Sequence, residues 1–130
     1  MMRNFIIFLI LSLLFGCDQP KVYYKLPEEI PPSFKIYIEV PDAKPLFKDA
    51  DGNYHVNVDS SVMYTSTTYK ELANTRSYFS LGGETIFISD EEFIKKYKCD
   101  VIRNIVGKNE TTPDGFAIPH YFEIIFEKQK

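Results

Sequence analysis

The chain has no tryptophan, two cysteines, two histidines and six glycines among its 130 residues. The scarcity of histidine and the wide separation of Cys17 from Cys99 leave no paired-ligand spacing for a structural zinc site. The glycines do not form G-x-x-x-x-G-K, so a phosphate-cradling loop is excluded, and neither G-x-S-x-G nor H-E-x-x-H occurs. Positive charge is not in excess: 15 basic residues face 18 acidic ones, a formal net charge of −3. Nucleic-acid binding driven by counterion release is therefore not expected. No apolar run reaches the roughly twenty residues that span a bilayer core.

What is present begins at the N-terminus. MMRN carries one base, Arg3, and no acid, and FIIFLILSLLF follows from Phe5 to Phe15 with Ser12 as its only polar residue. A basic start, a short apolar core and a small residue at its end are the layout of a secretory signal peptide. The run closes on Leu14-Phe15-Gly16-Cys17. This stretch resembles the lipobox of bacterial lipoproteins, a resemblance confined to residues 1–17. It implies removal of residues 1–16 and lipidation of Cys17, which would then anchor the chain to a membrane. Each buried acyl CH₂ contributes about 0.8 kcal/mol, so two or three chains hold a protein on a bilayer effectively permanently. Asp18, directly after the cysteine, resembles the signal that retains such proteins at the inner membrane in enteric bacteria.

Without residues 1–16 the chain keeps 114 residues and loses Arg3, leaving 14 bases against 18 acids. That length suits one domain. Residues 17–33 hold four of the eight prolines and read as an extended tether, with VYYKL at most an edge strand. A single domain is expected over 34–130. Its first strand is FKIYIEV, in which Phe34, Ile36, Ile38 and Val40 share one face. YHVNVDSSVMY continues the alternation from Tyr54 to Tyr64, as one long or bent strand or as a hairpin turning at Asp59-Ser60-Ser61. STTYKELANT suits a short helix. RSYFSL and ETIFIS flank Gly82-Gly83, the signature of a hairpin.

Ser89 with Glu92 three residues on predicts a helix start with a capping box, and Ile88 with Phe93 a hydrophobic staple. The helix ends either near Cys99, with DVIRNIV as a strand, or near Val106 before Gly107. FAIPHYFEIIFE is the last strand, with Phe122, Ile124 and Phe126 in one phase. The fold class is therefore α+β: a mostly antiparallel sheet of about five strands with one principal helix packed on it.

Candidate chemistry is sparse. Asp49, Asp51 and Asn53 are spaced like the first three ligands of a calcium loop. The pattern then fails, because Tyr54 and Ser60 stand where glycine and glutamate are needed. DGN is expected to form a turn instead. His55 lies on the polar face of its strand beside Asn57 and Asp59, and His120 falls in the apolar phase of the last strand. Cys99 with either histidine would make a thiol nucleophile and base, although burial is the common fate of a lone cysteine. No catalytic residue, metal or cofactor is assigned.

The leading expectation is a non-catalytic, lipid-anchored envelope module that binds a protein, as an accessory subunit or as an immunity-type inhibitor of a toxin. Small size, nine tyrosines and eleven phenylalanines suit such a surface. The alternatives are a small hydrolase using Cys99 and a carrier of a small ligand or lipid in a cavity under the sheet.

Overall fold

A computed structural model describes residues 19–106 and 121–129. The expected signal peptide over 1–16, Cys17, and residues 107–120 with His120 and the start of the last expected strand lie outside the described residues. The class is α+β and mostly sheet: the described residues form nine strands in two mixed sheets, with two short helices. The strands are β1 (Lys21–Leu26), β2 (Ser33–Tyr37), β3 (Phe47–Lys48), β4 (Tyr54–Asn57), β5 (Val62–Tyr64), β6 (Arg76–Leu81), β7 (Ile88–Ser89), β8 (Cys99–Val106) and β9 (Tyr121–Lys128). Helix α1 spans Tyr69–Leu72 and α2 Asp90–Tyr97.

One sheet has the order β3-β4-β1-β6-β7, the other β5-β2-β9-β8. The expected five-strand sheet is thus replaced by a pair of sheets, and β1 runs parallel to both neighbours, as β2 does to β5. The chain alternates between the sheets along its length. A chain that crosses to the other sheet and returns comes back in its original direction, so β1–β4 and β2–β5 pair in parallel with no helix between them.

Lys21–Leu26 corrects the tether reading. It is the central strand of its sheet, with Val22, Tyr24 and Leu26 buried. Pro20 and Pro27 flank it from just outside, so every residue inside the strand keeps its backbone N–H. The run from Tyr54 to Tyr64 is neither one strand nor a hairpin. β4 joins the five-stranded sheet and β5 the four-stranded one, with the crossing over residues 58–61.

The Gly82-Gly83 reversal forms with φ of 56° and 73°, a conformation that glycine adopts without strain. The register Phe79↔Ile88 spreads the reversal over residues 82–85 and shortens the second strand to two residues. Ser89 caps α2 by accepting from the Glu92 amide at 3.3 Å. The helix stops at Tyr97, Lys98 turns left-handed, and Cys99–Val106 continues as β8, which decides between the two endings. The full capping box is found at α1, where Thr68 and Glu71 bond reciprocally.

Inner faces of the sheets meet in an aromatic core. Phe79 packs on Tyr24 at 5.3 Å, Phe126 at 5.7 Å and Phe93 of α2 at 5.2 Å, and Phe34 bridges Tyr24 and Phe126. Phe34, Phe79 and Phe93 are fully buried. Burial of each such ring contributes roughly 2–3 kcal/mol. No described helix is long and apolar enough to cross a membrane.

Candidate functional site

With the core taking one face of each sheet, the opposite faces carry the side chains of the other phase. On the five-stranded sheet that phase is aromatic. Phe47 pairs with His55, His55 with Tyr23, and Tyr23 with Tyr78, so one continuous row crosses four adjacent strands. Ring centroids along it lie 5.7, 5.0 and 5.7 Å apart, and Phe87 adds an edge contact to Tyr23 at 4.9 Å. Phe47 is 67 % exposed and Ile86, beside Phe87, 73 %. Lys21 lies over the Tyr78 ring at 5.1 Å. The row is held at its outer end by two buried threonines. Thr67 accepts from the Leu46 amide and the Thr65 hydroxyl donates to the Lys44 carbonyl, both at 2.9 Å, fixing the approach to Phe47.

The Asp49–Asn53 segment folds as a turn. Asp49 Oδ1 accepts from the amides of Asp51 and Asn53 at 2.9 and 3.0 Å, while its Oδ2 accepts from His55 Nε2 at 2.8 Å. The His55 bond first, then the backbone amides, hold the Asp49 carboxyl below its ordinary range. These contacts occupy the group that a cation would need, and among the described residues no three His, Cys, Asp or Glu side chains cluster as a metal site. His55 therefore sits against Asp49, Tyr23 and Phe47 rather than acting with Asn57 and Asp59, both of which are exposed.

Below the row an open cleft of about 910 Å³ is bordered by Lys21, Lys48 and Arg76, with Asp51 and Glu71 among its walls. Here the chain leading into β1 is fastened to the domain. Arg76 Nε donates to the Gln19 side chain at 2.8 Å, the Arg76 amide to the Pro20 carbonyl at 3.0 Å, and the Lys21 amide to Asn53 Oδ1 at 2.9 Å.

A second row crosses the outer face of the four-stranded sheet. Tyr64, Tyr37 and Tyr121 are paired in register, with centroids 5.3 and 5.0 Å apart. Between the sheets an apolar hollow of about 120 Å³ is lined by Val22, Tyr24, Ile36 and Ile124, with Ser77 and Arg103 as polar groups. Burial pushes the Tyr24 hydroxyl up to about 12, outweighing the nearby Arg103 charge and a hydrogen bond with Ser77. Arg103 is itself bonded to Asp90 at 2.8 Å.

Cys99 is 2 % exposed, and its Sγ lies 3.7 Å from the Asp100 carbonyl oxygen. Burial, and secondarily the Asp100 charge, push its thiol up, away from the thiolate a nucleophile requires. It belongs to the core, whereas His55 is on the outer face of the other sheet, so these two are not brought together. Tyr23, Phe47 and Tyr78 were not singled out by sequence. For Tyr23 and Tyr78 the signal is an aromatic side chain in the outward phase of VYYKL and RSYFSL, where polar residues are the rule for a half-buried strand; Phe47 has none.

No family model matches the chain, and no curated protein does. Among solved structures it is similar to a crystal structure named "Putative Lipoprotein from Bacillus anthracis", at 16 % identity over 83 % of this chain and 71 % of that one, with a TM-score of 0.49. A likeness at that level carries no argument about fold or activity.

Proposed function

We propose that the chain is a bacterial envelope lipoprotein, anchored through lipidated Cys17, whose domain acts on the non-cytoplasmic side as a non-catalytic protein-binding module. The observation that carries the binding role is the Phe47–His55–Tyr23–Tyr78 row. Aromatic rings left on the solvent side of a sheet, already packed against one another and fixed in register, lose little entropy on meeting a partner. Aromatic anchors of this kind dominate protein interfaces. The partner is an envelope subunit or an incoming toxin.

Two measurements test this. Mass spectrometry of the membrane-extracted protein should find Cys17 as the acylated N-terminal residue; an unmodified N-terminus removes the anchor. A photo-crosslinking residue at Phe47 in intact cells should capture one protein near stoichiometrically, and Tyr23→Ser with Tyr78→Ser should abolish capture while the fold persists. Failure to capture any protein at Phe47 sinks the binding role. The 120 Å³ inter-sheet hollow favours one second reading, carriage of a small apolar ligand. Titration with small aromatic compounds tests it, and heat signals absent at every concentration reject it.

A further inference from the structure

The segment between the lipidation site and the first strand is too short and too firmly held to act as a stalk. Four peptide steps separate Cys17 from Lys21, a reach of at most about 14 Å. Gln19, Pro20 and Lys21 each spend a polar group on the domain itself, through Arg76 and Asn53. The chain is fastened to the domain from Gln19 onward, two peptide steps after Cys17. The cleft bordered by Lys21, Lys48 and Arg76 opens at this same end of β1. Asp51 and Glu71 share the cleft, so three bases face two acids there; Glu71 accepts from the Thr68 amide and hydroxyl at 2.9 and 3.1 Å, bonds that keep it ionised. The cleft lining thus keeps an excess of one positive charge in a chain of net charge −3.

Resting on the lipid-anchor reading above, we propose that this end is a membrane seat: Lys21, Lys48 and Arg76 meet anionic lipid headgroups, and the domain stands directly on the bilayer with β1 rising from it. The Gly82–Thr85 turn lies at the far end of the same sheet, since β1 and β6 run parallel from Lys21↔Arg76 to Leu26↔Leu81. Five residues of strand place it about 17 Å further from the surface. Orientation is then set by covalent reach and charge together. Each basic side chain near an anionic surface shifts the docked-to-undocked ratio about fivefold, and Asp51 and Glu71 oppose two of the three.

The test uses the full lipidated chain in vesicles of phosphatidylcholine with phosphatidylglycerol. Nitroxide labels on Ala50→Cys, at the seat, and on Thr85→Cys, at the far end, are read by relaxation from a nickel chelate carried on lipid headgroups. The seat label should relax strongly and the far label hardly at all. Omitting phosphatidylglycerol should shift the seat label toward solvent behaviour, and Lys21→Gln, Lys48→Gln and Arg76→Gln combined should do so by about a hundredfold in the docked ratio. Vesicle composition needs no variant, so a misfolded triple variant does not blunt the test. Equal relaxation at both positions on a chain whose Cys17 carries lipid overturns the seat alone and leaves the cations to a protein partner. Absence of lipid on Cys17 overturns the anchor and the seat with it.

Discussion

The imidazole of His55 lies 2.8 Å from Asp49 Oδ2, and the other oxygen of that carboxylate closes the turn through the amides of Asp51 and Asn53. One ionised group therefore joins the 49–53 turn to β4. Its acidity follows from these bonds, with His55 the largest cause. A carboxyl depressed in the fold stabilises it fully above its ordinary value of 3.8, and that contribution is lost as pH falls through the lower folded value. The Asp51 and Asn53 amide resonances should accordingly move with an inflection below 3.8, and Asp49→Asn should remove the inflection. An inflection at or above 3.8 would contradict the arrangement.

Cys99 should be inert toward alkylating reagents in the folded chain, because its thiol is both covered and raised in pKa. Iodoacetamide labelling should track unfolding in urea rather than precede it. Cys99→Ala should leave biological activity intact at a stability loss of about 1 kcal/mol. Rapid labelling of the native protein, or activity lost with a retained fold, would revive the thiol hydrolase.

Phe79 touches rings from both sheets and from α2. Phe79→Ala should lower unfolding free energy by about 3–5 kcal/mol, read from urea denaturation. A cost below about 1 kcal/mol would mean that the three layers do not share this ring.

Lys98 holds φ 50° and ψ 51° between α2 and β8, and its carbonyl accepts from the Gln129 amide at 3.0 Å. A side chain is strained there, and glycine is not. Lys98→Gly should raise stability by about 0.5–1 kcal/mol in the same denaturation experiment. A loss would indicate that the lysine side chain contributes more than its backbone strain removes.

Much of the secondary structure was legible because burial on one face writes itself as alternation. Phe34, Ile36, Tyr54 and Val56 read correctly as inward positions, and Ser89 and Glu92 marked the helix start. Alternation states which side of a strand is buried, but not against which sheet. Val62 and Tyr64 keep the spacing of Tyr54 and Val56, yet the chain changes sheets between them. Strand β1 was hidden by its flanking prolines, which look alike whether they stiffen a spacer or bracket a central strand. The aromatic row had no local signature, since Phe47, His55, Tyr23 and Tyr78 become neighbours only through parallel and antiparallel registers set by tertiary pairing.

The position of β1 governs how the molecule can assemble. Its bonds reach Asn53, 32 residues away, and the segment just before it reaches Arg76, 57 residues from Gln19. β9 likewise lies inside its own sheet, between β2 and β8. Each layer thus waits for a strand distant in sequence, and no contiguous half contains a closed core. Such a topology is expected to fold slowly, because its long-range pairings must close before they stabilise anything. A polypeptide of this kind stays threadable through a narrow pore until nearly all of it has emerged, and a prematurely ended product would have no stable fragment to fall back on.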